Sequence, residues 1–158
     1  MVNEAEALSQ IAPAAVASEI ATGVPASLTA AQCIVESYWL TKCVANNAFG
    51  IKAESGEPSV MVWTHEVVDG VRQAVQLPFR AYDTLADSFA DHARLFTTLG
   101  VYAPAWAQYQ ADGDVDEFTR GIARHYATAP NYADEVLAIM HQGNVAAAVA
   151  AARGTDNG

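Results

Sequence analysis

The sequence predicts an α+β fold, mostly helical and divided into two lobes. Three observations predict it. Apolar residues recur at helical spacing before Lys42 and again after Asp83. Between those stretches, from Ser59 to Leu77, the period changes to two. Asp69-Gly70 divides that alternating stretch, as a tight hairpin turn would. A helical body with a β-hairpin lobe leaves a groove between the two, the usual place for a ligand. The 158 residues suit one domain with a substantial core. We place that domain at 1–153 and read 154–158, Gly-Thr-Asp-Asn-Gly, as a linker or tail.

The elements follow in order. Leu8, Ile11, Ala12 and Ala15 mark a first helix, with Pro13 as a first-turn residue or kink, ended by Gly23 and Pro25. A second helix starts near Ser27 or Thr29, either of which can cap it, with a stripe of Leu28, Ala31, Val35, Tyr38 and Trp39. Asn46-Asn47-Ala48-Phe49-Gly50 has loop chemistry. Val60, Val62 and Thr64 alternate with Met61, Trp63 and His65, and Val71 to Leu77 returns, giving a two-stranded arm with room for a short third strand. Asp83 is the expected cap of a helix carrying Leu85, Phe89, His92, Phe96 and Leu99. A helix after Asp114 carries Val115, Phe118, Ile122 and Tyr126, and one capped by Asn131 carries Tyr132, Val136 and Met140. Val145 to Ala152 forms a terminal helix.

Composition excludes several classes. Apolar residues make up 52% of the chain, too many for a disordered one. No apolar run reaches the roughly 18 residues of a spanning helix, so no membrane partner is expected. A net charge of −10 argues against nucleic acid, and equally against simple attraction to an anionic wall polymer. No Lys or Arg precedes Lys42, so the basic region of a secretory signal is missing, and either another export route or a signal that was never part of this chain is expected. Cys33 and Cys43 read as two thiols, with a local disulfide as the alternative. Neither these nor the histidines have metal-ligand spacing, and phosphate-binding glycine loops are absent, so no cofactor or metal is expected.

Glu36 is the residue with the clearest chemical potential. It sits at the edge of its helix stripe, with Gln32, Cys33, Trp39 and Leu40 three and four positions away. A half-buried carboxyl group against an aromatic ring has its charged form disfavoured, as a general acid near neutral pH requires. Periodicity alone fits a surface glutamate on an amphipathic helix as well. His92, on an apolar stripe, reads as a structural histidine.

Four blocks resemble the family 73 glycoside hydrolases, the mannosyl-glycoprotein endo-β-N-acetylglucosaminidase-like or flagellar-type wall hydrolases. They are residues 23–37 (GVPASLTAAQCIVES), 46–52 (NNAFGIK), 79–92 (FRAYDTLADSFADH) and 126–133 (YATAPNYA), in the family's order. The resemblance implies a lysozyme-like fold with Glu36 as the acid at the base of the groove. It implies a second acidic residue in the arm after a Thr-x-Glu pattern, which Thr64-His65-Glu66 fits, so Glu66 is the candidate and Asp69 the fallback. Glu66 would activate water or position the arm; the substrate's own 2-acetamido group is the other proposed nucleophile. Tyr126 resembles the active-site tyrosine, and Tyr82 and Tyr132 resemble groove-lining aromatics. Asn47 and Phe49 are expected to shape the groove floor and bind substrate. The sequence departs from the family at Leu40, where glycine is usual, and at Ala129, where Asp is usual.

The expected function is cleavage of the β-1,4 bond after N-acetylglucosamine in peptidoglycan glycan strands, by a monomer with or without wall-targeting domains on a longer chain. Muramidase or lytic transglycosylase action is the rival within the class, and a non-catalytic wall-binding or virion module the rival outside it. The expected place of action is the bacterial cell wall, by secretion, in the periplasm or by phage delivery.

Overall fold

A computed structural model describes the backbone of residues 2–156 and the side chains of residues 2–154. Among the described residues there are seven α-helices, a short 3₁₀ turn and one two-stranded antiparallel sheet. Helices α1 (Glu4–Thr22) and α2 (Ala26–Ser37) come first. The hairpin β1 (Ser59–Val68) and β2 (Val71–Arg80) follows, then α3 (Leu85–Thr98), the 3₁₀ turn Gly100–Tyr102, α4 (Ala103–Asp112), α5 (Val115–Tyr126), α6 (Tyr132–Met140) and α7 (Gly143–Asp156).

Helix α2 is the axis of the helical body. Ala26, Leu28, Ala30, Ala31 and Cys33 are fully buried along it, because it has cores on two sides. Toward α1 and α7 it meets Ile11, Ala15, Val16, Val145 and Val149. Toward α3, α5 and α6 it meets Phe96, Phe118, Ile122 and Val136. Ala26, Ala30 and Ala31 suit α2 because a helix enclosed on both sides needs short side chains where its neighbours close in. Gly23 makes the turn from α1 into α2 at φ 85°, a left-handed backbone that suits glycine.

Several boundaries differ from expectation, each for a local reason. Helix α2 begins at Ala26, ahead of Ser27 and Thr29, because the Glu19 carboxylate of α1 accepts from the Ala26 N–H and replaces a Ser or Thr cap. Pro13 lies in mid-α1, not its first turn, and faces solvent, where the carbonyl it leaves unbonded can meet water. Tyr38 leaves the expected stripe and is exposed, since Tyr38, Trp39 and Leu40 take φ values of 47°, 58° and 66° and wind the chain left-handed for one turn. The cap of α3 is Thr84, with Asp87 completing a capping box, in place of Asp83. Leu99 ends α3 exposed. Helix α4 has no counterpart in the sequence reading; Ala105, Trp106 and Tyr109 pack it partly buried against the second core, and none of its residues is fully buried. Helix α7 extends through Asp156, so 154–156 form its last turn where a linker was expected; 157–158 lie outside the described residues.

The arm matches its pattern. Asp69 (φ 51°) and Gly70 (φ 77°) make the two-residue turn, and the register pairs Ser59 with Arg80 through Val68 with Val71. Val60, Val62, Thr64 and Glu66 are the partly covered set, while Met61, Trp63 and Val67 are exposed. The expected third strand is a single bridge, Lys52 to Phe79. A lone hairpin is marginal in water, so its root matters. Asp91 of α3 holds that root. It accepts from Arg80 at 2.6 Å and from Tyr82 at 2.5 Å, and pairs with Arg94 at 3.0 Å.

Candidate active site

The site starts with how α2 ends. Ser37, buried, donates its hydroxyl to the Cys33 carbonyl at 2.6 Å and accepts from the Leu40 N–H at 2.9 Å. That fixes the last helical turn, and with it the direction of Glu36 beside it. Leu40 takes φ 66° where the family carries glycine, so the substitution leaves the left-handed turn in place.

Glu36 is half-buried and lines an open cleft of about 380 Å³, together with Phe49, Ile51, Lys52, Tyr102 and Tyr126. Its Oε1 accepts from the Tyr132 hydroxyl at 3.0 Å. Burial raises its pKa above the ordinary carboxylate value; the Tyr132 hydrogen bond works against that and the nearby Glu135 charge adds to it. A carboxyl so placed can carry a proton into the pH range where a glycosidic oxygen needs one.

Tyr132 itself is buried, and its hydroxyl receives Gln32 Nε2 at 3.0 Å. Gln32 Oε1 in turn lies 2.9 Å from His92 Nε2. Tyr126 stacks on Tyr132 at 5.6 Å between centroids and reaches the cleft wall. Its hydroxyl pKa is driven up by burial first, then by Tyr132 and Glu36. The two tyrosines therefore divide differently from expectation: Tyr132 touches the carboxyl, and Tyr126 faces the cleft beside it.

Asn47 is buried and spends its whole amide on the backbone. Nδ2 donates to the carbonyls of Ile51 and Arg80, and Oδ1 accepts from the N–H groups of Phe49 and Ile51. It thereby shapes the loop that supplies Phe49, Ile51 and Lys52 to the cleft. Phe49 stacks on His92 at 3.8 Å. Tyr82 stands apart from this cleft lining, its hydroxyl committed to Asp91.

Glu66 lies on the partly covered face of β1, and its Oε1 is 3.4 Å from Lys52 Nζ. Lys52 also lines the Glu36 cleft, so Glu66 reaches its rim through this pair. Asp69 is in the hairpin turn. Cys33 and Cys43 are both free thiols; burial pushes Cys33 up to about 12 and makes it a poor nucleophile.

Sequence reasoning passed over Gln32 as a participant and saw only packing in His92. The available signal was a polar residue inside an apolar turn, one turn before Glu36. The Arg80–Asp91 junction was also missed, since its partners are joined only by the fold.

Comparison with known proteins fits this geometry. The profile described as mannosyl-glycoprotein endo-beta-N-acetylglucosaminidase matches residues 12–145. The chain is 34% identical over 125 residues to "Exo-glucosaminidase LytG" of Bacillus subtilis (strain 168), covering 73% of this chain and 43% of that protein. It is 33% identical over 136 residues to a "Probable N-acetylmuramidase" of Lactococcus lactis subsp. lactis (strain IL1403), covering 78% and 30%. It thus spans less than half the length of these curated relatives. A crystal structure of a peptidoglycan hydrolase mutant from Sphingomonas sp. A1 superposes with a TM-score of 0.75 at 27% identity, over 93% of this chain and 98% of that one. The chain belongs to the mannosyl-glycoprotein endo-β-N-acetylglucosaminidase family, as its four sequence blocks implied.

Proposed function

We propose that this chain hydrolyses the β-1,4 bond after N-acetylglucosamine in bacterial peptidoglycan, with Glu36 as general acid, and that it acts at the cell wall. The observation that carries the reading is the half-buried Glu36 carboxyl on a cleft wall, hydrogen-bonded by Tyr132 and with its pKa raised. Glu36 gives its proton to the leaving glycosidic oxygen while positive charge develops at the sugar carbon. Glu66, on the arm across Lys52, takes the proton of the attacking water. Tyr126, on the cleft wall, offers an aromatic surface to the apolar face of the sugar, and Phe49 supports the cleft floor from the core. The name of the Bacillus subtilis relative supports cleavage after N-acetylglucosamine.

The name of the Lactococcus lactis relative favours a second reading, cleavage after N-acetylmuramic acid. Mass spectrometry of digested wall separates the two. A reducing N-acetylglucosamine end is the expected product. A reducing muramic acid end reverses the bond assignment, and an anhydro end replaces hydrolysis by transglycosylation. Glu36→Gln should lose lysis with its fold kept; an active Glu36→Gln enzyme would overturn the mechanism.

A further inference from the structure

We infer that the buried row His92–Gln32–Tyr132 is a positioning device that fixes which Glu36 oxygen carries the transferable proton, an inference that rests on Glu36 being the acid. The row is continuous. His92 Nε2 is 2.9 Å from Gln32 Oε1, Gln32 Nε2 is 3.0 Å from the Tyr132 hydroxyl, and that hydroxyl is 3.0 Å from Glu36 Oε1. His92 and Gln32 are fully buried and Tyr132 almost so. Water does not compete for the two inner bonds, and the Tyr132–Glu36 bond is part-buried at the cleft wall.

The direction of the row follows from one nitrogen. His92 Nδ1 is buried and has no hydrogen-bond partner among the described residues. Burial holds the ring neutral, its pKa lowered to about 3, so it carries a single proton at neutral pH. A proton on Nδ1 would be a buried donor with no acceptor, which costs more than a ring nitrogen left as an unpaired acceptor. The proton therefore sits on Nε2. Gln32 must then present Oε1 to His92 and its NH₂ to Tyr132. A tyrosine hydroxyl has one proton, and with its oxygen receiving Gln32 that proton points to Glu36 Oε1. When Glu36 is protonated, its proton is left on Oε2, the oxygen free to serve the cleft. A histidine two side chains away thus sets the orientation of the acid.

The groups facing Glu36 are Tyr132 and Glu135 of α6, Tyr126 of α5 and, across the cleft, Lys52 and Tyr102. The test changes the row and leaves Glu135, Tyr126, Lys52 and Tyr102 untouched. Gln32→Glu replaces the amide by a near-isosteric acceptor, which turns the Tyr132 proton away from Glu36. Tyr132→Phe removes that proton. Both should move the alkaline limb of the kcat/KM profile up by about one pH unit, the order expected for one charge-assisted hydrogen bond. Plateau kcat should fall roughly tenfold, since a weaker acid transfers its proton less readily, with KM changed less than about twofold, since uniform binding is kept. His92→Phe, which frees Gln32 to turn over, should shift the limb the same way by less.

A purely structural role would lower the thermal midpoint and leave the limb in place, and that result overturns the inference. NMR titration of the Glu36 carboxyl reads the same shift without turnover, and an unmoved titration in Tyr132→Phe overturns the inference as well. The two readings fail separately. An active Glu36→Gln enzyme removes the acid assignment, whereas an inactive one beside unshifted Gln32→Glu and Tyr132→Phe profiles removes only the positioning row.

Discussion

Glu36, on the wall of the cleft, and Glu66, joined to the cleft's rim through Lys52, are held in opposite ways. Glu36 belongs to the last turn of a helix buried on both sides, and its carboxyl is tied through Tyr132 and Gln32 to a histidine in the core. Glu66 belongs to a two-stranded arm, where its contact is a 3.4 Å ion pair with Lys52, the two side chains being 42% and 59% exposed. Such a pair is worth about 0–1 kcal/mol, so the geometry of Glu66 depends on where the arm lies. A proton donor must be aimed to within a fraction of an ångström, which a packed core can do. A group that guides a water molecule can be delivered by an arm that closes on a polymer.

The largest expected effect follows from this contrast. Glu36→Gln should lower kcat by roughly 10³- to 10⁴-fold, the upper end of what a general acid contributes, in a reducing-end assay on purified wall. Glu66→Gln should lower it by about 10²-fold, with the thermal midpoint unchanged. Equal losses would mean a matched pair and dissolve the contrast. No loss in Glu66→Gln would transfer the second role to the substrate's acetamido group. Lys52→Met, which breaks the exposed pair, should alter kcat by less than about fivefold.

The unequal footing of the two acids explains what could be read from the sequence. Buried periodic elements were legible: the α2 stripe from Leu28 to Val35, the α3 stripe through Phe89 and Phe96, and the alternation of β1 match. Helix α4 was not, its packing face of Ala105, Trp106 and Tyr109 being short and only partly buried. Nor was the start of α2, whose cap comes from Glu19 on another helix. Motif resemblance pointed to Glu36 and the tyrosines as candidates and set Tyr132 in the groove, whereas the fold hydrogen-bonds Tyr132 to the Glu36 carboxyl. Links such as Gln32 to His92, sixty residues apart, exist only once the helices pack. The same holds for the Asp91 junction.

That junction offers the next way to sharpen the comparison, because it fastens the arm to the body. Burial alone would raise the Asp91 pKa, but the Tyr82 hydroxyl, Arg80 and Arg94 outweigh it and hold the carboxyl below its usual value. A carboxyl depressed in the folded state contributes stability above its unfolded pKa of about 3.9 and loses it as pH falls through the folded value. Acid should therefore loosen the arm's root below about pH 4, ahead of the Glu36 row. Amide exchange of β1 and β2 measured against α2 across that range checks it. Asp91→Asn should cost about 2 kcal/mol in urea unfolding by leaving Arg80 with Glu57 as its remaining carboxylate and Tyr82 with a neutral partner. If the hairpin stayed as protected as α2, the arm would not be the looser side.

The smallest effect is expected where the family pattern is broken, at Leu40. Its φ of 66° costs a branched side chain about 1 kcal/mol that glycine would not pay. Its side chain, however, packs partly buried against the first core, and partial burial returns about the same amount. Leu40→Gly should therefore lie within about 1 kcal/mol of the parent in urea unfolding. Activity should follow stability, because Ser37 receives the residue 40 N–H whichever side chain is there. A loss of turnover well beyond the change in stability would show that the left-handed turn steers Glu36 more directly than the Ser37 hydrogen bonds imply. The rigid side of the comparison would then depend on how α2 ends as well as on the row behind it.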